Sequence, residues 1–95
     1  MPVPPSLSYT SVYERGVPYP ERWVLVVHGI LGTKSNWRVI MRRVIATNPT
    51  WGALLVDLRN HGESRGLAPP HTIDACAADL VRLAASVDLR IDAVL

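Results

Sequence analysis

Two short segments hold the residue types that can do chemistry: His28-Gly29-Ile30-Leu31-Gly32, and Asp57-Leu58-Arg59-Asn60-His61-Gly62-Glu63-Ser64. The second runs into Gly62-Glu63-Ser64-Arg65-Gly66, a literal G-x-S-x-G, the pattern that presents a serine nucleophile on a sharp strand-to-helix turn. The surroundings do not suit that use. The preceding apolar run ends near Leu58, several residues early, and Leu67-Ala68-Pro69-Pro70 follows where a helix is required. Ser64 is therefore read as a loop residue. Gly29-Ile30-Leu31-Gly32-Thr33-Lys34-Ser35 has the outline of a phosphate-cradling turn, which makes a nucleotide- or phosphate-binding α/β module the alternative from another class. A P-loop needs four residues between its first glycine and Gly-Lys; here two separate Gly29 from Gly32, Thr33 splits Gly32 from Lys34, and no G-x-G-x-x-G occurs. His28, His61, His71, Cys76 and the aspartates have neither C-x-x-C nor H-x-x-x-H spacing, so no metal is expected. No cofactor is expected either.

The elements that position these segments follow from hydrophobic spacing. Trp23-Val24-Leu25-Val26-Val27 and Ala53-Leu54-Leu55-Val56-Asp57-Leu58 are continuous and β-rich, the signature of parallel strands covered on both faces. Each ends where one of the two segments begins. Between them, Trp37, Ile40 or Met41, Val44 and Ile45 recur at helical spacing opposite Arg38, Arg42 and Arg43, with Ser35 as the expected N-cap and Asn48-Pro49 as the stop. Ile73, Ala77, Leu80, Ala84 and Val87 mark a second helix, opened by Thr72 and Asp74, and Ile91 to Leu95 reads as a third buried strand. Ahead of these lie an irregular arm over residues 1–6, an edge strand in which Leu7, Tyr9, Ser11 and Tyr13 alternate with Ser8, Thr10 and Val12, and a turn at Gly16 to Pro20. The alternation βαβαβ predicts the α/β class: a parallel sheet with helices on its faces.

Composition bounds the reading. Ninety-five residues, 48% hydrophobic and 19% charged, with a mean hydropathy of +0.15, describe one globular unit. Ten basic against eight acidic side chains are spread along the chain, which argues against nucleic acid as a partner. The single cysteine, Cys76, excludes an internal disulfide and is read as a small core residue. Without a secretory leader or an apolar run long enough to span a bilayer, the expected address is the cytoplasm or an organelle interior.

The two segments, each at a strand end, in this order and with a helix between, resemble the serine α/β-hydrolase fold family, most closely its esterase-like members of the abhydrolase-domain-11 type. The resemblance runs from the Leu7 strand to Leu95. It implies that a backbone N–H in the loop after His28-Gly29 forms part of an oxyanion hole, and that the nucleophile elbow follows the Ile91 strand, beyond Leu95. A glycine-flanked turn ahead of a helix can aim an N–H at a developing alkoxide; Ile30 is the first choice of donor and Leu31 the reserve, in a loop shaped by His28, Gly29 and Gly32. His28 is expected to anchor that loop, since the family's catalytic base lies downstream of its nucleophile. Asp57, Arg59, His61, Gly62 and Ser64 are expected to form a structural loop beside the active site.

Residues 1–95 are thus expected to be a single partial α/β-hydrolase domain, the front of a longer sheet. Its complete form would hydrolyse ester, thioester or amide bonds of a small or lipid-like substrate, while the isolated chain would be inactive. A non-catalytic, truncated interaction protein is the third reading. Family topology places the Ile91 strand beside the Trp23 strand, which leaves an unpaired apolar edge and predicts self-association.

Overall fold

The computed structural model describes residues 6–29 and 31–95; the arm over residues 1–5 and the first-choice donor Ile30 lie outside the described residues. Strand β2 (Arg22–Val27) and strand β3 (Trp51–Val56) run parallel, in register from Arg22 opposite Trp51 to Val27 opposite Val56. Strand β1 (Tyr9–Val12) lies antiparallel on the outer side of β3, and β4 (Ile91–Val94) lies parallel on the other side of β2. The order is β1-β3-β2-β4. β4, the third strand of the expected alternation, therefore sits beside β2 and away from β3 as expected, but it is not buried: Ile91 and Ala93 are half-buried and Asp92 and Val94 exposed, because among the described residues nothing covers its far side.

Continuous apolar runs suit β2 and β3 because both of their faces are covered. Leu54 and Val56 pack with Trp23, Leu25 and Leu83 of helix α2 (Ile73–Ser86), whereas Ala53 and Leu55 pack with Val26 and with Met41 and Ile45 of helix α1 (Arg38–Thr47). The two helices lie on opposite faces, as right-handed crossovers running in opposite directions, from β2 to β3 and then from β3 past β2 to β4, require. Gly52 makes one close approach possible: a Cβ there would stand 2.7 Å from the Trp23 ring, which lies across β3.

Local chemistry moves two boundaries and one buried stripe. The first helix opens earlier than its expected Ser35 cap, with a 3-10 turn at Lys34–Trp37 preceded by Thr33, whose N–H donates to Asn36 Oδ1 at 2.7 Å. Strand β3 ends at Val56, not Leu58, because Asp57 and Leu58 turn away to make the contacts described below. The buried stripe of α2 is also displaced. Asp79 and Leu83 are buried with Leu80 half-buried, while Ile73 is 84% exposed and Ala77 is exposed. A charged residue occupies an inward position of α2, which apolar spacing does not register. Thr72 caps this helix, its Oγ1 accepting the Ala75 N–H at 3.1 Å. Cys76 is half-buried.

The far side of β2 is less covered. Val94 and Leu95 are 69% and 55% exposed, and on the α1 face a mostly apolar groove of about 420 Å³ opens between α1 and β4, lined among others by Val24, Val44, Trp51, Ala93 and Val94.

Candidate functional site

The carboxyl ends of β2 and β3 release the two loops side by side, so residues thirty positions apart in sequence become neighbours. His28, directly after β2, is 4% exposed. Its Nε2 accepts the Leu58 N–H at 3.0 Å and its Nδ1 meets Gly29 O at 2.7 Å. Leu31 follows in the left-handed region at φ +65°, side chain 91% exposed, and its N–H donates to His61 Nε2 at 3.2 Å. Gly32 N–H closes the turn on Gly29 O at 3.0 Å.

Asp57 is the centre of the second loop. Its Oδ1 accepts the Lys34 N–H at 2.7 Å, and its Oδ2 accepts both the Lys34 ammonium at 2.8 Å and the Glu63 N–H at 3.0 Å. Lys34 Nζ also donates to Ser8 Oγ and Glu63 Oε1. Burial opposes the charge on Asp57, but the lysine and the two amides outweigh it and lower the carboxyl pKa. Burial likewise opposes the Lys34 charge, and its hydrogen bonds to Asp57 and Glu63 prevail and raise the ammonium pKa. Gly62, at φ +51°, lies against the Asp57 carboxylate where a Cβ has no room. Only a glycine meets both demands.

Ser64 is fully buried; its hydroxyl donates to Asp57 O at 2.5 Å and accepts the Ser8 N–H at 2.8 Å. The hydroxyl joins the second loop to the residue ahead of β1. Arg59 turns the other way. Its Nε and Nη2 grip both oxygens of Asp79 at 2.6 and 2.9 Å, and its Nη1 donates to Ala68 O and Pro70 O. The hydrogen bond to Asp79 raises the guanidinium pKa.

The structure therefore brings His28, Gly29, Leu31 and Gly32 together with Asp57, His61, Gly62 and Ser64 at one end of the sheet, while Arg59 leads away to α2. Two participants were not singled out from sequence. Lys34, which in sequence reads only as the lysine of a phosphate loop, turns into the protein, and its ammonium meets two carboxylates. Asp79 fell outside the expected stripe of α2. Each carried a signal: Lys34 is the one lysine beside nine arginines, and Asp79 stands at helical spacing between Cys76 and Leu83, on the inward side of α2. Among the described residues, no group of three or more His, Cys, Asp or Glu converges on a point that holds a metal ion, and no helix is long and apolar enough to cross a membrane.

No family model matches the chain. A stretch of 42 residues is 43% identical to the 2-succinyl-6-hydroxy-2,4-cyclohexadiene-1-carboxylate synthase of Serratia proteamaculans (strain 568), covering 44% of this chain and 15% of that protein. A solved marine microorganism esterase shares the fold with a TM-score of 0.72, over 93% of this chain and 31% of its own, at 24% identity. The chain thus spans about a third of the esterase and a smaller share of the synthase. Four strands in this order with a helix on each face are an incomplete copy of a larger sheet, and the fold that the chain shares with the esterase is that of a partial α/β-hydrolase.

Proposed function

We propose that the chain is the oxyanion-loop portion of a serine hydrolase of ester, thioester or amide bonds, whose nucleophile is carried on residues after Leu95. The observation that carries this reading is the pairing of two strand ends. Val27 N–H donates to Leu95 O and Leu95 N–H donates to Leu25 O, each at 2.8 Å, so whatever follows β4 emerges beside the loop that opens at His28. In open α/β sheets, chemistry collects at the carboxyl ends of the strands. A serine on a sharp turn after β4 would face the 28–32 loop. Acyl transfer to that serine builds an alkoxide, which a preorganised N–H of the loop stabilises.

Among the described amides of that loop, those of Leu31, Gly32 and Thr33 already have acceptors in His61, Gly29 and Asn36. The Leu31 amide has to leave His61 before it can serve an oxyanion, so Ile30 is kept as the first choice of donor and Leu31 as the reserve. His28, Asp57, Arg59, His61, Gly62 and Ser64 act in this reading by holding the two loops. The substrate is a small or lipid-like ester, with no cofactor required.

Two experiments test the proposal. The coding sequence immediately after Leu95 is expected to contain Gly-x-Ser-x-Gly, and a stop codon there removes the hydrolase reading. The 95-residue chain is expected not to react with a fluorophosphonate probe, because its G-x-S-x-G serine, Ser64, is buried with its hydroxyl engaged twice. Stoichiometric labelling that Ser64→Ala abolishes would place the nucleophile within this chain and overturn the reading.

A further inference from the structure

His28 and His61 belong to different loops yet make matching sets of bonds. His28 Nε2 accepts the Leu58 N–H of the second loop, and His61 Nε2 accepts the Leu31 N–H of the first, at 3.0 and 3.2 Å. Each ring turns its Nδ1 to a carbonyl of its own loop, His28 to Gly29 O at 2.7 Å and His61 to Arg59 O at 2.9 Å. A backbone amide can only donate and a carbonyl can only accept. Both rings are therefore assigned as neutral Nδ1–H tautomers with the Nε2 lone pair facing the other loop. Their centroids are 5.0 Å apart. Each loop is thus read by the other loop's histidine.

The two halves of this exchange hold different things. The His28 bond joins the ends of β2 and β3, which the sheet already keeps side by side through the Val27 and Val56 pairing. The His61 bond reaches Leu31, an exposed leucine in a left-handed conformation that leucine rarely adopts. Among the described residues, it and the Gly32 to Gly29 bond are the ties within this turn. We infer that His61 is a positioning residue for the 28–32 loop: its Nε2 holds the Leu31 amide and the left-handed turn, and so sets which amides of the loop stay open toward the end of β4. The inference rests on the reading above for the use made of the loop, whereas the histidine exchange is a property of this chain alone.

The test uses the 95-residue chain labelled with nitrogen-15. Long-range spectra of the imidazole nitrogens are expected to show the Nδ1–H tautomer for both His28 and His61. Two variants then separate the ring's two bonds. In His61→Asn the amide stands near the Nδ1 position and still donates to Arg59 O, but no acceptor reaches Leu31; exchange of the Leu31 amide is expected to speed up by roughly tenfold, with Leu58 unchanged. In His61→Gln the side-chain oxygen reaches the Nε2 position, and Leu31 is expected to keep its protection. An Nε2–H tautomer at His61, equal Leu31 exchange in wild type and His61→Asn, or a Leu58 amide released as fast as Leu31, overturns the inference. If His61→Asn does not fold, the tautomer in the wild-type spectrum decides. None of these readouts involves catalysis, so a failed search for Gly-x-Ser-x-Gly beyond Leu95 removes the hydrolase reading and leaves this result standing.

Discussion

The two flanks of β2 are built in different ways. Toward β3, the carboxyl end of the sheet is closed by polar bonds: a buried lysine and aspartate, two histidines trading backbone amides, and a buried serine that ties in the residue ahead of β1. Toward β4, the surface is apolar and open, with Val94, Leu95 and the groove against α1 exposed. The first flank is complete within these residues because its partners are hydrogen-bonding groups that satisfy one another. The second is unfinished because an apolar strand face gains its stability only when something covers it. A partial sheet can thus hold a polar, mutually bonded pair of loops beside an uncovered apolar edge.

Removing the centre of the closed flank is the strongest way to break this contrast. Asp57→Ala leaves the Lys34 ammonium buried beside only the largely exposed Glu63, and a loss of about 3–5 kcal/mol is expected, read as a collapse of the urea midpoint. An unchanged midpoint would mean that the pair adds nothing to the fold.

Protons attack the same pair from both ends. The Asp57 pKa is lowered on folding, so its contribution is present above the ordinary carboxylate range of about 3.9 and is lost as pH falls through the folded value. The Lys34 pKa is raised, so its contribution is present below about 10.4 and is lost as pH rises through the folded value. The stability difference between wild type and Asp57→Asn is therefore expected to be level between about pH 5 and 9 and to shrink in acid below about 4. A difference that grows toward acid contradicts the direction assigned to Asp57.

The open flank predicts behaviour more than energy. The chain is expected to bind a hydrophobic dye and to elute from size exclusion larger than a monomer. Val94→Ser is expected to reduce both while changing stability by no more than about 0.5 kcal/mol, as exposed positions do. A clean monomer without dye binding shows instead that β4 is an adequate natural edge. A small effect also belongs to Glu63, the other partner of Lys34. Its carboxylate is 80% exposed, so Glu63→Gln is expected to cost under about 1 kcal/mol, and a loss rivalling Asp57→Ala would show that the lysine depends on both acids equally.

By itself, the sequence determined the fold class and the two segments at the strand ends; the strand order, and with it the opposite placement of the helices, was what the family resemblance implied. The fold class depends on local quantities: unbroken β-rich runs for covered strands and helical spacing for the crossovers. Pro69 and Pro70 likewise argued locally against an elbow at Ser64. Tertiary structure alone decided the partners. That Lys34 turns inward to Asp57 and that Asp79 is buried to meet Arg59 are matters of which polar groups share a space that water cannot enter, and that His61 reaches Leu31 across thirty residues is a matter of which loops the sheet sets side by side. Apolar periodicity is blind to this, because it scores a buried aspartate as an exposed one. The choice between Ile40 and Met41 was settled in the same way: one turn of helix offers both to the sheet, and the sheet takes Met41.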